Sequence, residues 1–409
     1  MNAGLLLRSL LVIATLMGGP GLAQVQDPVA ESQQALLAPV TADGGVRSVA
    51  GGYGHSCAVS GRGNVWCWGY NQFGQLGIGT TESHQTPQRV VINGEVVSVG
   101  LGSVFTCALT TEGEVYCWGY NNHGELGDST YTGRLSPTRV AFPRSNIRSL
   151  AVGTSHACAI DSRGRLWCWG NNVQAQLGDG TVLDRTTPAR VSGIPGPITA
   201  VSAGYWHTCA LARQGRAWCW GSNFRGQLGI DSMVSQRRPV RVVGLGRDNL
   251  AIDVGGHTSC AIDRRNFLLC WGANDTGQLG VGTTELSLVP QRVSGTRFRS
   301  VSVGNSSLTG AWATTCAVTR RGSGYCWGLN DHGQLGIGTT DNASLPQRIS
   351  GLGSDIRSFA VANNGVHTCG INGSGVAFCW GSNAFGQLGD GTTTDQPTPN
   401  RVQGRLHTR

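Results

Sequence analysis

Short apolar runs alternate with glycine-rich turns through most of this chain, and no stretch keeps helical periodicity for a useful length. Residues 46–50, 56–59 and 65–68 read as three short strands. A Gly/Asn-rich loop at 69–81 follows, and Pro87-Gln88-Arg89-Val90 reads as a fourth strand. The unit then recurs. Each copy holds two cysteines ten residues apart, and aligning on the first gives steps of 50, 51, 51, 51, 56 and 53 residues. A period near 50 belongs to solenoids or propellers. Four short antiparallel strands in each of seven units predict an all-β fold, a seven-bladed β-propeller.

The cysteines pair as Cys57 with Cys67, Cys107 with Cys117, Cys158 with Cys168, Cys209 with Cys219, Cys260 with Cys270, Cys316 with Cys326 and Cys369 with Cys379, and none is left over. Between the partners of each pair stands Gly63, Gly113, Gly164, Gly215, Asn266, Gly322 or Gly375. Six glycines and one asparagine imply a backbone position with positive φ, hence a hairpin turn. The cysteines flank it almost symmetrically, so each pair is predicted to face across neighbouring strands and bridge. Closing a loop of about eleven residues is worth at most roughly 2.5–3 kcal/mol by chain entropy.

The second cysteine always precedes Trp-Gly and, in most units, Trp-Gly-x-Asn-x-x-Gly-Gln-Leu-Gly. Glu125 replaces Gln in the second unit and Ala175 replaces the middle Gly in the third, while the Asn is present in all seven. The glycines allow tight turns, the amides can satisfy buried backbone groups, and the Trp and Leu side chains are expected between blades.

The N-terminus adds a compartment. Arg8, an apolar run at 10–17 too short to span a bilayer, and Gly21-Leu22-Ala23 form the layout of a secretory signal. The reading is a signal at 1–23, a flexible lead at 24–44, one propeller domain at 45–404 and a tail at 405–409. A secreted or periplasmic location follows, where paired cysteines are normally disulfides. No later segment is apolar enough to cross a membrane. Every basic residue is Arg, and losing Arg8 takes the formal charge from +8 to +7. That mild excess, without a basic run, gives no reason to expect nucleic acid.

With these motifs in view, Gly-x-x-His-Ser/Thr-Cys-Ala-Leu/Val and the cysteine-tryptophan loop motif resemble the regulator-of-chromosome-condensation repeat. The resemblance covers all seven units, from about residue 45 to 402. It implies a seven-bladed propeller. It also implies, as the runner-up activity, guanine-nucleotide exchange on a small GTPase, against which the signal and the disulfides argue.

Candidate chemistry is sparse. The chain has no H-E-x-x-H, no G-x-S-x-G and no phosphate loop. Acidic residues are few and scattered, so no catalysis is expected. Neither cofactor nor metal is expected. His55, His156, His207 and His367 share one repeat position but would sit on a wide circle, and Asp-Gly-Thr at 179–181 and 390–392 is absent from the other units. The loop before each first cysteine should share a face with the Asn/Gln loop. Tyr53, Phe105, Tyr205, Trp206 and Trp312 fall in those loops and are the candidate partner-binding residues. Trp312 stands in a sixth-unit loop longer than its counterparts. An Arg two residues after Pro recurs as Arg89, Arg139, Arg190, Arg241, Arg292, Arg348 and Arg401, where charge would guard an outer strand edge. The expectation is a monomeric exported scaffold binding another macromolecule, a protein, through its loop face. Enzyme inhibition or glycan binding by a secreted propeller is the other alternative.

Overall fold

The computed structural model describes residues 44–143, 146–304 and 313–404. The expected signal, the lead up to residue 43, the tail at 405–409, and Trp312 with its loop lie outside the described residues.

Blade one comprises β1 (Val46–Gly51), β2 (His55–Ser60), β3 (Val65–Gly69) and β4 (His84–Val90), paired antiparallel in that order. Six more four-stranded sheets repeat the arrangement, the last ending at Arg401. The fold is the expected seven-bladed propeller, without helix among the described residues. First strands pack on one another around the axis, blade seven against blade one included. Fourth strands are outermost and the least buried.

Core packing lies between blades. β2 is buried along its whole length because each of its faces meets a different neighbour. Cys57 and Val59 enter a layer with Val99, Ala108 and Trp118 of blade two. Ala58 turns the other way, to Ile371 and Leu388 of blade seven. Seven such layers complete the ring, each holding one fully buried tryptophan. An aromatic side chain burying about 150–250 Å² contributes several kcal/mol by area.

The hairpin turn has the predicted backbone: φ is +76° at Gly63 and +64° at Asn266. Across it, the cysteines of each pair stand directly opposite each other in the ladder. Cys57 is bonded to Cys67, Cys107 to Cys117, Cys158 to Cys168 and Cys209 to Cys219. Cys260 is bonded to Cys270, Cys316 to Cys326 and Cys369 to Cys379, and no described cysteine is free. The Cα atoms lie 4.1 Å apart in all seven pairs. That separation suits the closer pair of an antiparallel ladder. All fourteen cysteines are wholly buried, so they staple the blades from within and present nothing to a partner. The loop asparagine acts as an internal brace. Asn71 Nδ2 donates to the Thr80 and Glu82 carbonyls at 2.9 Å, and its Oδ1 accepts the Leu76 amide at 2.9 Å.

Ring closure needs no shared blade, since every described blade is contiguous in sequence. Blades seven and one meet through the Val46 amide donating to Gly375 O at 2.8 Å and the Asn363 amide donating to Gly51 O at 2.9 Å. At the loop face Asn363 crosses the axis, its Nδ2 donating to Leu101 O and Val152 O at 3.2 and 2.8 Å.

Candidate functional site: the aromatic loop face

The repeated motif first builds a frame. At all seven interfaces the indole N–H of one blade donates to the main-chain carbonyl of Gln or Glu in the preceding blade's loop, at 2.8–3.0 Å. At six, a Ser or Thr hydroxyl just before the first cysteine donates to the same carbonyl. The four histidines extend this strap. His55, His156, His207 and His367 place Nε2 2.8–3.0 Å from the hydroxyls of Thr106, Thr208, Ser259 and Ser56 in the next blade. Burial drives His55, His156 and His367 down to about 3 and His207 well below its ordinary range, so all four are neutral latches.

Other polar candidates are also absorbed by the frame. Asp179 Oδ1 accepts the Thr181 hydroxyl at 2.7 Å and its Oδ2 meets Arg185 at 2.7 Å. Asp390 is held likewise by Thr392 and Asn400. No group of three metal-binding side chains occurs among the described residues. Three of the rim arginines are held within their own blades: Arg139 meets Glu114 at 2.5 Å, Arg89 reaches Asn64, and Arg292 lies 3.5 Å above the Phe267 ring.

What the frame leaves outward on the loop face is aromatic. Phe385, Tyr53, Tyr70, Phe73 and Tyr120 form a band across blades seven, one and two, with successive ring centroids 4.8–6.3 Å apart. Tyr53 and Phe73 are each 42% exposed. A second cluster over blades four and five joins Tyr205, Trp206, Phe224 and the buried His257, with centroids 4.4–5.9 Å apart. Polar pairs between adjacent blades punctuate the rest of the face: His123 hydrogen-bonded to Asp184, His332 to Asp395, and the ion pair of Arg225 with Asp275.

A cleft of about 180 Å³ lies between the two aromatic groups, lined by Tyr120, Tyr205, Trp206, Phe105, Glu125 and Thr154 among others. Glu125 is almost wholly buried, and its Oε2 accepts the His123 amide at 2.8 Å. Burial raises its carboxyl to about 7, with Asp184 adding to the rise and the backbone hydrogen bonds and His123 opposing it.

The sequence candidates fare unevenly. Tyr53 is exposed within the band, and Trp206 is half-buried at the cleft. Tyr205 is 8% exposed, its ring against Trp206 and the edge of His257. Phe105 is 1% exposed and belongs to the layer between blades two and three, which corrects its reading as an exposed anchor. It holds the repeat position that histidine takes in four other blades, and that position points between blades. Trp312 lies outside the described residues. Tyr70, Phe73, Tyr120, Phe224 and Phe385 escaped the sequence reading. All occupy the x positions of Trp-Gly-x-Asn-x-x-Gly, and variation inside a fixed loop motif was the available signal.

Comparison with known proteins fits this geometry. A family model described as the RCC1-like domain matches residues 18–350, and one for the regulator of chromosome condensation (RCC1) repeat matches 374–408. The chain belongs to the RCC1-like family. It is 31% identical over 270 residues to the ultraviolet-B receptor UVR8 of Arabidopsis thaliana, covering 64% of this chain and 60% of the receptor. It is 28% identical over 402 residues to the E3 ubiquitin-protein ligase HERC2 of Mus musculus, covering 94% of this chain but 7% of the ligase. The chain thus spans less than two thirds of either relative. Among solved structures, Prp20p of Saccharomyces cerevisiae superposes with a TM-score of 0.73 at 24% identity, covering 84% of this chain and 86% of that one. Human WBSCR16 gives a TM-score of 0.72 at 21% identity, covering 83% and 94%. At these identities the structural likeness speaks for the fold alone.

Proposed function

We propose that this RCC1-like propeller is an exported, non-catalytic scaffold that captures a protein partner on its aromatic loop face. The observation that carries the reading is the run of touching rings on one face of a disulfide-stapled frame. Rigid aromatic side chains bury large area at low entropic cost, which suits hot-spot anchors. Seven bridged hairpins favour an oxidising compartment. Protein binding also has precedent of fold in Prp20p, whose structure was described with its binding to Gsp1p and histones. Nucleotide exchange as in the family's namesake is the second reading, and the oxidising compartment weighs against it.

The test is affinity capture from native periplasm or medium with the parent chain and with the double variant Phe73→Ala with Trp206→Ala. Both side chains stand on the loop face, outside the buried strap. The partner is expected to be lost from the double variant while its thermal transition is kept. Equal recovery of the same partner by both chains overturns the reading.

A further inference from the structure

The interface between blades two and three departs from the repeat at three positions together. Phe105 replaces the strap histidine, Ala157 replaces the hydroxyl residue before the first cysteine, and Glu125 replaces the loop Gln. The first two are coupled by packing, since a phenyl ring needs no hydroxyl opposite, and both lie in one apolar layer. Glu125 has no such partner. In three other blades the Gln side chain donates through Nε2, Gln176 to Asn171 at 2.7 Å, Gln227 to Ser222 at 3.1 Å and Gln334 to Asp331 at 2.9 Å, whereas Gln75 Nε2 finds no partner among the described residues. A carboxylate cannot donate, and no side chain among the described residues donates to it. A buried charge without a partner is costly.

Glu125 lines the cleft whose rings are Tyr120, Tyr205 and Trp206. Thr154 lines the same cleft, is 5% exposed, and its Oγ1 has no partner among the described residues. An anion would be repelled here, and a neutral apolar group would leave Glu125 unpaired. A cation answers both features, since ring faces attract it and the carboxylate neutralises it.

We propose that the cleft between Tyr120, Tyr205 and Trp206 seats one cationic side chain, a lysine or arginine, of the protein partner against Glu125. The proposal rests on the scaffold reading and names the chemistry of its central contact. The aromatic band supplies area, and the cleft supplies selectivity for a partner that presents a basic residue.

The probes are methylguanidinium and methylammonium chloride, with methylurea as the neutral control, titrated into the whole 15N-labelled chain. The Trp206 indole resonance, assigned by its loss in Trp206→Phe, reports occupancy. Either cation is expected to shift it saturably in the millimolar range, and methylurea is expected not to. Glu125→Gln restores the residue of the other blades and should weaken cation binding at least tenfold with the rest of the spectrum unchanged. Equal titration of parent and Glu125→Gln, or an equal response to methylurea, overturns the proposal. Failure here with capture still dependent on Phe73 and Trp206 removes the cleft alone. Cation binding without any captured protein removes the scaffold reading and leaves the cleft.

Discussion

Replacing Glu125 with Gln should stabilise the fold at pH 8 and change it little at pH 5. In the open chain this carboxyl ionises near 4.5; burial in the folded cleft moves it to about 7. Between those values the native state holds a proton that the unfolded state has released. Stability from this group therefore falls as pH rises above 4.5, and the full cost is present above 7. At about 1.36 kcal/mol per pH unit the cost is about 3–3.5 kcal/mol once Glu125 is charged. Gln escapes it, and a Gln in this loop accepts the same amide, as Gln75 does from Phe73 at 2.9 Å. The opposing effects of His123 and Asp184 on the carboxyl are already contained in that raised value. The assay is equilibrium urea unfolding without reductant at pH 5, 6, 7 and 8, followed by tryptophan emission. The variant should gain about 3–3.5 kcal/mol over the parent at pH 8 and under about 1 kcal/mol at pH 5. A difference that does not vary with pH would falsify the assignment of a strained carboxylate. The sign also bears on function, because a cation docking beside Glu125 offsets a cost that the empty cleft carries.

Two other substitutions test the frame. His156→Phe with Thr208→Ala copies the pairing of Phe105 and Ala157 into the next interface and removes a histidine held near pKa 3. A buried neutral histidine lends stability above its unfolded value of 6.5 that is lost as pH falls toward 3. The double variant should therefore lie within about 1 kcal/mol of the parent at pH 7.5. It should resist unfolding better at pH 4.5 by about 2.5–3 kcal/mol, and parallel acid-unfolding curves would sink the latch reading. Gly178 sits at φ +69°, and an added Cβ would stand 2.5 Å from Trp220 Nε1. Gly178→Ala should cost about 2–4 kcal/mol in urea melts and disturb the Trp220 environment, whereas a loss below about 1 kcal/mol would mean the strap is slack.

Fold and frame were legible because each repeat position has one local job. Gly63 or Asn266 sets a left-handed turn, which fixes the register that brings Cys57 opposite Cys67 and Cys260 opposite Cys270. Such jobs recur seven times and survive superposition of the units. The face was less legible because exposure depends on which way a loop residue points, and that is decided by the neighbouring blade. Phe105 and Trp206 stand in equivalent loops, one residue apart in register from their cysteines, yet one enters the core and the other borders the cleft. The position two before the cysteine is strap, whereas Trp206, three before its cysteine, reaches the cleft. Aligning Phe105 with the histidines, instead of grouping it with the aromatics, separates them without coordinates.

The same alignment explains why the odd interface carries the odd chemistry. Where His meets a hydroxyl, the strap links three groups: imidazole, hydroxyl and the Gln carbonyl. At the interface of blades two and three, Ala157 ends that chain, and among the described residues the Glu125 carbonyl keeps the Trp169 indole alone. Apolar packing by Phe105 replaces the lost polar link, and since the strap uses the main-chain carbonyl at position 125, the side chain there is not needed for closure. Structural substitution at two positions thus accompanies a third that places a buried carboxylate in the lining of the cleft. If Glu125 were a mere structural variant of Gln, burial of its charge would be a cost with no return, and Glu125→Gln would alter stability alone. If it is the contact for a basic side chain, the same substitution must raise stability and lower cation affinity together. Opposed effects of one conservative change, read in two independent assays, distinguish a binding residue from a tolerated defect of the frame.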